Sequence, residues 1–315
     1  MTKEASIGRT GISGIKSLLM LAVTVFFGIA LSGEAAEYVR DGFELAVRCV
    51  IPSSLPFMVI SDFYVTYGHP ENIRLLRLVF TRFFGMPEEC LAPFICGNIG
   101  GFPIGAKMTA DLYSAGVISR DIAERLAPLS NNPSCAFIIG GVGLGIYGDA
   151  GIGFLLLASV YTATLLCGFL SKMKSENNQF SNINIKQNYN FVNSIKQAGI
   201  SSISIISFIS VFSVAMGIIK KRVKNALLIY LISSVAEVTN AIKIFSESDA
   251  LPHHFALCLS AFSLGFGGVC VGLQSSVFTS CAGLKMRKYY ALKLIEGIIS
   301  AAVFSLLFFI YNSTK

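Results

Sequence analysis

The chain is 315 residues long, 53% hydrophobic and only 14% charged, with a mean hydropathy of +0.66, whereas soluble domains carry about 25% charged residues. That balance excludes an ordinary soluble domain and points to an integral membrane protein. The net charge of +7 does not signal nucleic acid, because the basic residues fall in short clusters between apolar segments, where the positive-inside rule puts them.

In chain order, Lys16 precedes the apolar run Leu18 to Leu31. Further spans follow, so Ile15 to Leu31 reads as an uncleaved first span rather than a signal peptide. Gly42 to Tyr67 is the second, with Arg48 just ahead of the kinking prolines of IPSSLP. In Asn72 to Met86, Ile73, Leu76, Phe80 and Phe84 recur at helical spacing beside Arg74, Arg77 and Arg82, as in a helix lying in the membrane interface. Residues 89–118 suit a helix pair that dips in and returns on the same side, with GNIGGFPIGAK (Gly97 to Lys107) at its tip. Ser119 to Leu129 reads as a short surface helix with a serine N-cap and solvated charges. Residues 131–148 start polar and turn apolar, as a broken crossing would, and Gly151 to Leu170 is a plain span.

The polar stretch 171–190 reads as a flexible linker between halves 1–170 and 191–315. After the span Ile200 to Ile219 comes KKRVK (Lys220 to Lys224), then a second hairpin at 226–246, a second broken helix at 253–276 and a last span, Ala291 to Tyr311. CAFIIGGVG at Cys135 is echoed by SAFSLGFGGVCVG at Ser260. The fold class expected is therefore all-α: a polytopic membrane protein of two weakly similar, inverted repeats with broken helices and re-entrant hairpins. Paired interrupted segments in two halves are the sequence pointer to a transporter's binding site. With the N-terminus inside, the basic residues Arg74, Arg77, Arg82, Lys172, Lys174, Lys186, Lys196, Lys285, Arg287, Lys288 and Lys293 also fall inside, but KKRVK falls outside and leaves the side of the second hairpin open.

The chemistry concentrates at the breaks. Peptide groups freed at Asn98, Gly100, Gly101, Pro103 and Gly105 cost several kcal/mol each in lipid unless protein or water satisfies them. A broken helix also offers a positive N-terminal end to an anion. Lys107 lies one turn beyond, either as an anion-binding charge or as a snorkelling side chain. Asn131, Asn132 and Ser134, around Pro133, either orient a carboxylate or ring nitrogen or cap a helix at the surface. In the second half Glu237, Thr239 and Asn240 recur in an apolar run. A carboxyl group there needs a proton, a basic partner or a coupling cation. Gln274 is either a ligand contact or a helix-end residue. The eight cysteines form no C-x-x-C or metal spacing, and no HExxH, Ser/His/Asp set or Walker loop occurs. Neither an enzyme nor a bound metal or cofactor is expected.

GFPIGAK, ISRDIAERL, NNPSCAFIIGGVG, Glu237 to Thr239 and Phe266 to Gln274 together resemble the sporulation integral membrane protein YlbJ (SpoVV) family, in the group carrying a nucleoside-recognition or Gate domain. The motifs run across nearly the whole chain. One departure is Asn240 and Ala241 where the family pattern tends to glycine after E-x-T-x, so the second hairpin tip is expected to differ in shape. The resemblance implies a multi-pass protein of the outer forespore membrane of an endospore-forming bacterium, needed for dipicolinic acid to reach the forespore. It further implies hairpins and inverted repeats like those of concentrative nucleoside transporters. On that reading the carboxylates of dipicolinate meet Lys107 and the glycine break, and Asn131, Asn132, Glu237 and Gln274 complete the site. Nucleosides or other anionic metabolites, and a non-transport scaffold, stand as alternatives. A proton or sodium ion is the coupling ion expected, and the oligomeric state is left open. A planar dianion leaving a negative cytosol gains about 4.6 kcal/mol per 100 mV, so no ATPase motif is needed.

Overall fold

A computed structural model describes residues 32–52, 55–56, 58–59, 74–172 and 190–313. The first span, His69 and most of the linker lie outside them. Among the described residues every regular element is helical. Helix α1 (Ser32–Leu45) runs into a π-helical turn, Ala46–Val50. It begins ten residues before the second span expected from Gly42. Then come α2 (Arg74–Phe84), α3 (Leu91–Gly100), α4 (Ile104–Ser114) and α5 (Arg120–Leu129). A π-helical segment, Phe137–Ile146, turns into α6 (Ala150–Leu170). The second half comprises α7 (Phe191–Arg222), α8 (Ala226–Ala236), α9 (Val238–Ser246), α10 (His253–Phe266), α11 (Gly268–Thr279) and α12 (Met286–Ser313).

By length and composition α6, α7, the α10–α11 pair and α12 can cross a membrane. Their outer faces carry Phe154, Leu166, Ile203, Val211, Ile298, Leu306 and Phe309, all exposed, as lipid contact requires and water would not favour. The chain is thus a multi-pass membrane protein. Polar side chains in the turns start several helices. Ser119 accepts from Ile122 N, Asp149 from Gly151 N, Asn190 from Asn193 N and Asn225 from Leu228 N, each satisfying a donor left over at a helix start.

Helices α3 and α4, of 10 and 11 residues, are about 15 Å long at about 1.5 Å per residue, half a bilayer. They pack on each other across a turn at Gly101, whose φ of 82° suits glycine. The glycines on either side of the turn serve a different purpose. A Cβ at Gly97 would lie 1.9 Å, and one at Gly105 1.8 Å, from the carbonyl oxygen of Ser130. That oxygen occupies a notch that only two glycines leave open. Helices α8 and α9 also pack on each other, across the single extended residue Glu237, so this turn is shorter than the first. The α10–α11 crossing breaks at Gly267 and Gly268, with φ of 79° and 77°.

The interfacial segment is helical over Arg74–Phe84. It docks through Phe84 over Gly168 of α6, inside a cluster with Phe80 and Phe94, while Leu75 and Leu78 stay exposed.

Gly105→Ala is expected to cost at least the 1–3 kcal/mol typical of overpacking, because its new methyl group meets backbone. Gly199→Ala, with nothing within 4 Å of its Cβ, is expected to be neutral or stabilising. Melting of the two variants in detergent, followed by size-exclusion chromatography, measures the contrast.

Candidate functional site

The breaks of both halves converge on one small, partly open cavity of about 30 Å³. Its wall is made by Gly100, Gly101 and Phe102 from the first hairpin turn and by Ser134 and Phe137 from the start of the π-helical segment. Glu237, Val238 and Thr239 come from the second hairpin, and Cys270, Val271 and Gln274 from α11. Val50, Ile205 and Ile209 close it on the apolar side. Each hairpin turn rests against the break that follows it in sequence. A Cβ on Gly101 would lie 2.9 Å from Ser134 N, and one on Gly268 would lie 3.0 Å from Ala236 O.

Helix starts supply most of the polarity here. Ser134 Oγ accepts from Phe137 N at 3.1 Å. The Glu237 carboxylate accepts from Thr239 N at 2.8 Å, Asn240 N at 2.7 Å and Asn240 Nδ2 at 2.8 Å. Ser213 Oγ donates to Asn240 Oδ1 at 3.0 Å and so fixes the amide. The positive end of α9 is therefore occupied by the chain's own carboxylate. By contrast, Gln274 is 5% exposed and its Oε1 has no hydrogen-bond partner, which leaves a buried acceptor at the cavity wall.

A second polar centre adjoins the cavity, and sequence reasoning missed most of it. Lys293 and Glu296 of α12 are both 0% exposed. Lys293 Nζ donates to Glu296 Oε2 at 3.0 Å and to Asn132 Oδ1 at 2.6 Å. Thr164 of α6 donates to Glu296 Oε1 and accepts from Asn132 Nδ2 at 3.0 Å. Asn132 Nδ2 also reaches Asn98 Oδ1 at 2.9 Å, and Asn98 Nδ2 ties back to Leu129 O at 3.1 Å. Its neighbour Asn131 turns the other way, donating to Ser275 Oγ at 2.7 Å and to the Tyr289 hydroxyl at 2.6 Å. The two asparagines thus join the first half to α11 and α12.

Of the residues singled out in the sequence, Gly100, Gly101, Ser134, Glu237, Thr239 and Gln274 line the cavity. Asn98, Asn131 and Asn132 lie in the adjoining network, Pro103 and Gly105 are buried at the first hairpin, and Asn240 orients Glu237. Lys107 is exposed on α4 beside Asp111 and does not line the cavity. Lys293, counted with the basic residues of the inner surface, is corrected to a buried position, because Glu296 and Asn132 give its charge partners. The charges of α5 are not all solvated either. Glu124 is 4% exposed and pairs with Lys288 at 3.0 Å, and Arg125, 8% exposed, donates to Phe84 O. The signal for Lys293 and Glu296 was present as an i,i+3 pair inside an apolar span. Among the described residues no group of three or more His, Cys, Asp or Glu is placed to hold a metal.

Crossing helices, together with pairs of half-length helices joined at breaks, define a multi-pass membrane protein. In sequence the chain is similar to the sporulation integral membrane protein YlbJ of Bacillus subtilis (strain 168), at 26% identity over 332 aligned positions that cover 92% of this chain and 80% of that one. The similarity supports the YlbJ family for this chain. No family model matches the chain, and no solved structure matches it.

Asn132→Ala removes one partner of Lys293 and leaves the amide of Asn98 and the hydroxyl of Thr164 short of theirs. A loss of at least about 1–3 kcal/mol is expected, as for leaving buried polar groups without their partner. Thermal melting of the purified variant against wild type measures it.

Proposed function

We propose that the chain is a transporter that carries a small carboxylate-bearing solute across a membrane of the developing spore. Dipicolinate at the outer forespore membrane is the solute and place that the family resemblance implies. One observation carries the transport reading: the breaks of both halves face a shared cavity whose wall holds an unpaired buried acceptor, Gln274 Oε1. Irregular backbone at membrane depth is tolerated only where protein buries it or where it lines a cavity, and transporters place their sites at such discontinuities. At about 30 Å³ the cavity must widen to take an aromatic dicarboxylate. The hairpin turns are the parts that would part to admit the solute. The similar relation of each turn to the break after it is what supports paired, inverted repeats.

The electrostatics constrain how an anion could bind. Glu237 already occupies the start of α9, so a second negative group beside it is repelled unless Glu237 carries a proton. The carboxylates of the solute are better placed toward Gly101 and Ser134. Gln274 Oε1, being an acceptor, asks the ligand for a donor. That favours a protonated acid and also keeps a nucleoside, rich in N–H and O–H groups, as a second reading.

Reconstituted protein is expected to move labelled dipicolinate, with flux rising as pH falls and Glu237 gains a proton. Glu237→Gln, permanently neutral, should remove that pH dependence, and Gln274→Leu should reduce flux at least tenfold. Uridine flux in place of dipicolinate flux would favour the nucleoside reading. Correctly folded protein that moves neither solute would favour a scaffold and sink the transport proposal.

A further inference from the structure

Lys293 is held as a free cation would be held. Its ammonium group, 0% exposed, has Asn132 Oδ1 at 2.6 Å and Glu296 Oε2 at 3.0 Å. Both oxygens are themselves fixed by further partners. Asn98 Oδ1 and Thr164 Oγ1 accept from the Asn132 amide and turn its oxygen toward Lys293. The other Glu296 oxygen accepts from Thr164. The oxygens come from the polar break before the π-helical segment and from α12. On another side, Lys293 Cε lies 4.0 Å from the position that a Cβ on Gly267 would take, so the side chain also abuts the break of the second half. A charged lysine is costly at membrane depth, and a pair of apolar side chains would fill the same space with equal or greater stability. Packing alone therefore does not account for the arrangement.

We infer that Asn132 Oδ1 and Glu296 Oε2, oriented by Thr164 and Asn98, form part of a monovalent-cation site that the protein fills with the tethered ammonium of Lys293. The lysine stands where a diffusible coupling cation would bind between the two broken segments, so sodium has no place to act there. The inference about coupling rests on the transport reading; occupation of the site by a cation does not.

Lys293→Ala tests it on the full chain in detergent. Melting is followed with sodium, potassium, ammonium or methylammonium chloride, against N-methylglucamine chloride at equal ionic strength. The variant is expected to melt well below wild type and to recover by about 2–4 °C for each tenfold rise of a small cation above its Kd, with no response to N-methylglucamine. Glu296→Gln added to Lys293→Ala should abolish that response. A melting point that responds to all salts alike, or to none, overturns the inference. So does a Lys293→Ala protein that is monodisperse in no salt, whether or not the added Glu296→Gln restores it, because the pocket then admits no free cation. In proteoliposomes, wild-type dipicolinate flux should be unchanged when N-methylglucamine replaces sodium, and stimulation by sodium would overturn the coupling role. Absence of any wild-type flux would count against the transport reading instead and leave the melting result to decide the site.

Discussion

A helix interrupted within a bilayer frees peptide N–H and C=O groups that lipid cannot satisfy, at several kcal/mol each. Much of this structure follows from where those groups go. At the first hairpin the carbonyl of Ser130 fills the notch left by Gly97 and Gly105, and Asn98 donates to Leu129 O. At the second, the Glu237 carboxylate takes up two of the free N–H groups of α9. At the third break, two glycines with positive φ bring α11 against the end of α8. The first and third breaks are thus completed by other segments and the second by its own Glu237.

The same constraint governs the buried charges. Taking Lys293 or Glu296 alone out of water would cost several kcal/mol per ion even after relaxation, so the two persist only as a pair with their remaining lone pairs and protons engaged. Asn132 and Thr164 supply that engagement. Any motion that separates α12 from the polar break at Asn131 and Asn132 therefore strips the buried ammonium of Lys293 of the Asn132 oxygen, while its ion pair with Glu296, on the same helix, moves with it.

Much of the architecture was legible in the sequence because helix breaks are written locally. Glycine and proline at Gly97 to Gly105, the NNPS before the π-helical segment and the glycines after Phe266 act on their own backbone, so their meaning needs no distant partner. Facing was not legible. Lys107 and Asp111 at i,i+4 and Lys293 and Glu296 at i,i+3 look alike as opposite charges in apolar surroundings, yet the first pair faces out and the second is fully buried. Which side of a helix is inside is set by neighbours far along the chain. For Lys293 these are Asn132 and the break at Gly267. Glu124 and Arg125 escaped for the same reason, since the loop before α12 and the end of α2 cover them.

The position of Asn131 and Asn132 gives the two polar centres a common hinge. The adjacent amides point to different partners, one to α11 and α12, the other to α3, α6 and Lys293. Three residues on, Ser134 starts the π-helical segment and lines the cavity. Opening the cavity at the Gly101 turn shifts the contact with Ser134, and the short link through Pro133 carries that shift to Asn132. Asn132 cannot follow far without weakening its hydrogen bond to the ammonium of Lys293.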